Sequence, residues 1–454
     1  MLNPKICRKA RLSRDPRFDG KFFIAVKTTR IYCRPICPAI TPKEENVLYF
    51  SSAIEAANGG YRPCLRCRPD SAPGSPAWKG VNATLDRAIR LIAEGSLQDN
   101  SLHGLAGKLG ISDRYLRQLF KKYLGVSPKA YALYQQCLFS KQLLHQSKLS
   151  ITQIALASGF NSVRRFNDCF QSQLGLTPSQ IRKSGVVESK NLRLQLYYRP
   201  PYDWSYMHNF FMTRAIPNVE WCDKNKYGRT IEWLGCTGSF TAQHIEHKNR
   251  FDVEIELNDV THLKSIVNNI RRILDLDVDI QAVEQDLQQY FGTVIPIKTG
   301  LRLAGTWNMF EAGVRAILGQ QISIVAARKL VTTLVLELGQ PIGTYQLFPL
   351  PKSIVTSNLS FLKIPELRKK TLHNLAQHYM SHDTPNDPQQ WLALKGIGLW
   401  TISYAQLRGL SDPDIYLGSD LGVKKAIEKL SIDLNSDLSA PWRSYLTLQL
   451  WSQL

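Results

Sequence analysis

Two groups of residues in this 454-residue chain have types and spacings that suit chemistry. The first is four cysteines in two close pairs: Cys33 and Cys37 in Y-C-R-P-I-C-P, and Cys64 and Cys67 in R-P-C-L-R-C-R-P-D. Two such pairs suit one tetrahedral Zn²⁺. Four thiolates on that ion form a cluster of formal charge −2, and Arg30, Arg34, Arg62, Arg66 and Arg68 surround it in sequence. A thiolate in a positive setting is a nucleophile as well as a ligand. Most all-cysteine zinc sites only hold a small domain together, and spacing alone leaves both readings open. The second group lies near the other end, where L-K-G-I-G-L-W-T-I-S-Y runs from Leu394 to Tyr404 and Asp420 follows Trp400 by 20 residues. A Gly-hydrophobic-Gly turn between two helical stretches lets backbone approach a phosphate closely. Gly396 and Gly398 both have access to conformations closed to other residues, and the N–H groups at the next helix start suit an anion. A lone carboxylate downstream, Asp420, then fits beside the sugar of the held strand.

The elements around these groups follow from periodicity. Residues 80–185 carry a helical pattern twice: Gly110 and Gly159 are 49 apart, while Phe120 and Phe170, Gly125 and Gly175, and Pro128 and Pro178 are each 50 apart. Each unit reads as two short helices about a glycine turn, with Ser112 or Asn161 capping the second helix. Arg114, Arg117 and Lys121 in the first unit, and Ser162, Arg164, Arg165 and Asn167 in the second, are the candidates for reading a DNA groove. A polar stretch, R-K-S-G-V-V-E-S-K-N, reads as a linker. Beyond it, the alternating R-F-D-V-E-I-E-L and the helical L-K-S-I-V-N-N-I-R-R-I-L suggest a small α+β unit, and from Leu301 the pattern is mainly helical. The expected boundaries are 1–75, 80–185, 191–300 and 301–454, and the expected fold class is multidomain, mainly α with α+β parts.

Composition narrows the partner. The net charge is +20, of which residues 1–80 supply +9 and residues 81–185 another +9. Such a footprint suits a polyanion. No apolar run approaches the roughly 20 residues of a membrane span. The N-terminus lacks the apolar core of a signal peptide. Nine cysteines, an odd number, favour reduced thiols and metal ligands over a disulfide framework. The expected compartment is a bacterial-type cytoplasm.

Three resemblances sit on these motifs. F-D-G-K-F-F-I-A-V-K-T-T-R-I-Y-C-R-P-I-C-P, E-E-N-V-L-Y-F and G-Y-R-P-C-L-R-C-R-P-D resemble the N-terminal domain of the Ada alkylation-response regulators. That resemblance implies Cys33 as acceptor of a methyl group from DNA methylphosphotriesters, with Cys37, Cys64 and Cys67 as fellow zinc ligands. The repeated helical unit resembles the AraC-type DNA-binding domain. Ada-type regulators usually continue into an O6-alkylguanine methyltransferase with a P-C-H-R motif, and this chain has none.

Residues 192–454 resemble the AlkA-type 3-methyladenine DNA glycosylases of the helix-hairpin-helix superfamily, through P-P-Y-D-W, F-E-A-G-V-R-A-I-L-G-Q-Q-I-S, K-G-I-G-L-W-T-I-S-Y, D-L-G and P-W-R-S-Y. This implies Asp420 as catalytic carboxylate, Trp400, Tyr404 and Trp442 as an aromatic pocket for a cationic base, and Gly396 and Gly398 as the phosphate-holding hairpin. Carbonyls of that hairpin hold a monovalent cation in the family. Two positions depart from the pattern: Gly418 stands where the family has a Pro before the Asp, and Gln321 stands where the namesake uses a Leu to fill the gap left by a flipped base. Trp400 stands where lyase-type relatives carry a Schiff-base Lys, so a monofunctional glycosylase is expected. No cysteine follows Cys236, which excludes the iron–sulfur cluster of that branch. The expected whole is a monomeric alkylation-repair protein at the nucleoid. Its partners are double-stranded, alkylated and promoter DNA, with RNA polymerase at the promoter. The rival reading is a methylation-switched transcription activator with the glycosylase half secondary, and both can hold at once.

Overall fold

The computed structural model describes residues 4–12, 22–35, 37, 39, 41–64, 67, 69, 83–93, 95–99, 101–109, 111–182, 192–382 and 385–454. Gly110, Arg66, Arg68 and nearly all of the expected linker lie outside them. The chain divides into two compact units, Met1–Lys190 with Val260–Asn268, and Asn191–Asp259 with Asn269–Leu454. No described helix is long and apolar enough to cross a membrane.

In the first unit a small sheet sets the cysteines. Strand Phe23–Val26 pairs antiparallel with both Val47–Phe50 and Ile31–Cys33, and Ile31–Cys33 pairs in parallel with Arg62–Pro63. The Tyr32–Pro63 register carries Cys33 and Cys64 off the same edge, and the Cys64 N–H donates to the Tyr32 carbonyl at 2.9 Å. Phe23, Ala25 and Tyr32 form one buried cluster with Phe120, Tyr131 and Tyr134 of the helical repeat.

The repeat folds as two matched helix pairs. Ser101 caps Leu102–Lys108 and Ser112 caps Asp113–Leu124; in the second copy Ser150 caps Ile151–Ala157 and Ser162 caps Val163–Leu174. Here one expectation is corrected: the second cap is Ser162, whose Oγ accepts from the Arg165 N–H at 3.2 Å, and not Asn161. Ser162 stands one residue later than expected, 50 after Ser112, in extended backbone that lets the hydroxyl turn onto the first helical turn. Asp113–Leu124 and Val163–Leu174 both end on a left-handed glycine, Gly125 at φ +73° and Gly175 at φ +66°.

The second unit holds a five-stranded antiparallel sheet in the order Leu192–Tyr197, Arg250–Leu257, Cys236–Ile245, Lys226–Trp233, Glu220–Asp223. A helical core follows, from Met309–Gly319 to Arg443–Trp451. A buried ion network ties the sheet to this core. Glu311 accepts from Arg229 Nη1 at 3.1 Å and Nη2 at 2.7 Å and from Arg315 Nη2 at 2.6 Å, and Glu220 accepts from Arg315 at 2.7 Å. Burial pushes the Glu311 carboxyl up, but Arg229 and Arg315 outweigh it and hold it at about 2. Because the folded value is depressed, this stabilisation is complete above the unfolded carboxylate range and is lost only as pH falls toward 2. Glu311→Gln leaves buried guanidinium charge short of an acceptor, so a thermal melt at neutral pH should show a loss of about 3–5 kcal/mol.

Candidate zinc centre and DNA-facing sites

The four cysteines converge. Their Sγ atoms all lie within 4.8 Å of one another, with Cys37 and Cys64 at 3.9 Å. A tetrahedral ion with Zn–S bonds of about 2.3 Å separates its ligands by under about 4 Å, so the donor set fits zinc in number and type, and the Cys37–Cys64 separation matches that spacing. Hydrogen bonding among the four thiols pushes Cys33 and Cys67 up and pulls Cys37 and Cys64 down. Arg34 is buried against the cluster: its N–H donates to Cys67 Sγ at 3.3 Å and its Nη1 to the Cys67 carbonyl at 3.2 Å. The Arg30 guanidinium lies 5.5 Å from the Tyr61 ring centre. Cys64 and Cys67 are buried, while Cys33 and Cys37 are half-buried. Cys33 lines a cavity of about 570 Å³ together with Arg34, Lys141, His145 and Gln180. The Lys141 Nζ donates to the Pro63 carbonyl at 2.9 Å, beside Cys64.

In the helical repeat, Arg114, Arg117 and Lys121 are all exposed on Asp113–Leu124, and Arg164, Arg165 and Asn167 on Val163–Leu174. Leu116, Phe120, Phe166 and Phe170 hold the opposite faces in the core. Ser162 is exposed, but its hydroxyl oxygen is used by the cap.

In the second unit the turn Lys395–Gly398 joins Pro388–Trp391 to Leu399–Ala405. The glycines differ, which corrects the reading of both as conformationally special. Gly396 has φ +92°, and a Cβ there would lie 2.0 Å from Thr371 Oγ1. Gly398 caps the next helix at φ −103° and ψ 174°, extended backbone open to any residue, and a Cβ there would meet nothing. What Gly398 offers is an uncovered helix start.

Trp400, Tyr404 and Asp420 come together. The Trp400 and Tyr404 rings stack at 5.2 Å and 22°, and Trp400 Nε1–H donates to Asp420 Oδ2 at 3.0 Å. Asp420 is also the cap of Leu421–Leu430, where its Oδ1 accepts from the N–H groups of Gly422 at 2.9 Å and Val423 at 3.2 Å. Trp442 belongs to the same packed cluster, and its indole N–H donates to Asp286 at 3.1 Å. Gln321 is exposed at φ +58°, between Met309–Gly319 and Ile324–Leu338, and three exposed apolar side chains follow it: Ile322, Ile324 and Val325. The preceding residue anchors this tip, with Gln320 Nε2 donating to Thr401 Oγ1 at 3.2 Å and Arg368 donating to the Gln320 carbonyl at 3.1 Å.

The sequence reading missed Trp451, whose Nε1–H donates to Asp420 Oδ1 at 2.9 Å, and Arg408, buried in the π-helical turn Gln406–Leu410. Burial pulls the Arg408 guanidinium down to about 10, with Tyr404 among the groups opposing the shift, so it is charged at neutral pH. Both residues sit in apolar runs, L-R-G-L and L-Q-L-W, that read simply as core.

Models for the metal binding domain of Ada, a helix-turn-helix domain and the AlkA N-terminal domain match residues 6–70, 105–184 and 193–308. A probable bifunctional transcriptional activator/DNA repair enzyme AlkA of Mycobacterium tuberculosis is 33% identical over 99% of this chain and 96% of its own length. The chain belongs to this bifunctional Ada–AlkA family. Other relatives of the family match parts of the chain. The Escherichia coli DNA-3-methyladenine glycosylase 2 is 29% identical over 56% of this chain and 95% of its own. The E. coli bifunctional transcriptional activator/DNA repair enzyme Ada is 34% identical over 38% of this chain and 48% of its own. The four-cysteine centre, the helix-turn-helix domain and the AlkA-like part are thus joined in one chain, as the sequence motifs imply.

Proposed function

We propose that this protein repairs alkylated DNA by hydrolysing the N-glycosidic bond of alkylated purines of the 3-methyladenine and 7-methylguanine type. The bonding of Asp420 to Trp400, beside the Trp400–Tyr404 stack and behind the Lys395–Gly398 turn, carries this reading. A base stacked in duplex DNA is out of reach, so the nucleotide flips out. An N-alkylated purine is cationic, and an aromatic ring facing a cation gains about 0.5–2 kcal/mol. When the bond from C1′ to nitrogen breaks, its electron pair leaves with the base and neutralises it. Positive charge then grows on the sugar, where Asp420 stabilises it, and water adds to C1′ with loss of a proton. Trp400 offers no amine, so the strand stays uncut, and borohydride should trap no covalent enzyme–DNA adduct. Trp442 completes the pocket and Gln321 fills the gap left in the duplex. The 3-methyladenine glycosylase relative, 95% of whose length is matched, supports this assignment.

Gly396 and Gly398 hold the strand's phosphates, and carbonyls of the same turn are the place for a monovalent cation. Their different geometries predict different outcomes. Gly396→Ala meets both a left-handed backbone and the buried Thr371, and should lower stability by about 1–3 kcal/mol in a thermal melt. Gly398→Ala should leave the melting temperature unchanged and weaken DNA binding, because the added methyl stands where a phosphate would approach. Equal binding by wild type and Gly398→Ala would remove the turn from the DNA contact.

At the other end, Cys33 is the methyl acceptor. Its sulfur attacks the methyl carbon of a methylphosphotriester, the carbon–oxygen bond breaks, and the phosphate leaves as an ordinary diester. Zinc, when bound, keeps the four thiols ionised and ready. Cys33 and Cys37 are both half-buried and both line the cavity, so access admits Cys33, and the likeness to the Ada metal binding domain is what favours it over Cys37. The exposed Arg114, Arg117, Arg164 and Arg165 on the paired helices support a promoter-binding activator, and the same proposed reading has it work with RNA polymerase as a monomer. Methylation of Cys33 changes the cluster from −2 to −1 and reduces its repulsion of phosphate. Each unit charge pair at about 4 Å is worth about 1 kcal/mol in water and more where solvent is excluded. DNA affinity of the full chain should therefore rise after reaction with methylphosphotriester DNA, and the gain should shrink with salt. Cys33→Ser should show no gain. Equal affinities at low salt with a methyl confirmed on Cys33 would leave the zinc domain as a repair module without a switch.

A further inference from the structure

Both oxygens of Asp420 accept an indole N–H, and only one of the two donors belongs to the base pocket. The second is Trp451, on the last turn of Arg443–Trp451, at 2.9 Å from Oδ1. That same oxygen already accepts from the Gly422 and Val423 N–H groups. Gly422 leaves room for the contact, since a Cβ on it would lie 3.1 Å from Trp451 Nε1. Behind the ring sits Arg408. Its guanidinium lies 5.1 Å from the Trp451 ring centre and 4.2 Å from that of Phe210, and its Nη1 donates to the Ala304 carbonyl at 2.8 Å. Its Nε is buried without an acceptor among the described residues, and no carboxylate forms an ion pair with it there. A buried cation without a counter-carboxylate is costly unless nearby electron density answers it. Here the aromatic faces do so. A cation on an indole face draws density from the ring and makes the N–H at its edge a stronger donor.

We propose that Trp451, polarised by Arg408, is a positioning residue that fixes Asp420 for the sugar cation; this rests on the glycosylase reading above. With Trp400 on Oδ2 and Trp451 on Oδ1, the carboxylate cannot rotate about its last bond without losing a charge-assisted hydrogen bond. It also has four N–H donors upon it, so its oxygens are already held as acceptors. Asp420 therefore acts mainly as a fixed negative charge, and Trp451 sets its direction without touching substrate.

The test separates rate from binding. Single-turnover base release from N7-methylguanine duplex is measured for the full chain with Trp451→Phe, and with Trp451 replaced by 3-benzothienylalanine, which keeps the ring outline and exchanges N–H for sulfur. Affinity for a duplex with a tetrahydrofuran abasic analogue is measured in parallel. A hydrogen bond to a charged group supports a loss of about ten- to hundredfold in rate for both variants, with affinity within about twofold of wild type. The sulfur-containing variant keeps the packing, so a loss there at unchanged melting temperature is not a folding defect. A benzothienylalanine variant within about twofold of the wild-type rate, or a loss matched by equal loss of affinity, overturns the proposal. Wild type that releases no base, or Asp420→Asn that releases it at full rate, strikes instead at the glycosylase reading.

Discussion

Asp420→Asn is expected to lower base release from 7-methylguanine DNA by at least about 10²–10³-fold and to leave DNA binding nearly intact. Removing one group aimed at transition-state charge costs about 3–4 kcal/mol in comparable sites. The substitution keeps the helix start while removing the charge together with the acceptor of the Trp400 N–H. Asp420 caps Leu421–Leu430 through its Oδ1, and Asn is as good a cap as Asp, so the helix keeps its start. Asp420→Ala would instead lose the cap as well, at about 1 kcal/mol of stability, and would mix two effects. Release by Asp420→Asn within about tenfold of wild type, or roughly 1.4 kcal/mol, would show that the carboxylate is not the catalytic group.

The second large effect concerns zinc. The sheet that sets the cysteines has strands of four, three, four and two residues, too little to fold on its own hydrophobic burial. Structural zinc supplies about 10–16 kcal/mol in comparable small domains, most of which is folding free energy. Chelation, or Cys64→Ser, should therefore open residues 22–69 to limited proteolysis and abolish methyl acceptance at Cys33. Base release should stay within about twofold, since Asp420 and its partners draw no residue from that region. Resistance of residues 22–69 to protease after complete metal removal would make the ion dispensable for this fold.

Much of the architecture was legible in the sequence, for reasons that differ by region. The cysteine pairs announce themselves because ligand chemistry tolerates few residue types at fixed spacing, and the sheet register that unites Cys33 with Cys64 only completes what the spacing requires. The helix-turn-helix repeat is legible because each copy repeats its glycines, aromatics and prolines. The cap at Ser162 was within reach of the same argument, since it repeats Ser112 at the interval of the other matched pairs. Gly398 was over-read: glycine identity does not reveal whether a turn uses its torsional freedom or merely its missing side chain. Trp451 and Arg408 were not legible. Their runs look like helix core, and the contact of Trp451 with Asp420, like that of Arg408 with the Trp451 ring, arises from packing between elements 31 and 43 residues apart along the chain. Nor could sequence reveal that Asp420 is at once a helix cap and the acceptor of two indoles, because a cap and a catalytic carboxylate call for the same residue.

The most direct measurement is a gel assay of the purified full chain on duplex DNA carrying one N7-methylguanine. The expected result is enzyme-dependent abasic sites, revealed as strand breaks only after alkali, with no borohydride-trapped adduct and with release by Asp420→Asn slowed at least about 10²-fold. Intact base after prolonged incubation with folded, zinc-loaded protein, or strand cleavage without alkali through a trapped adduct, would contradict the account.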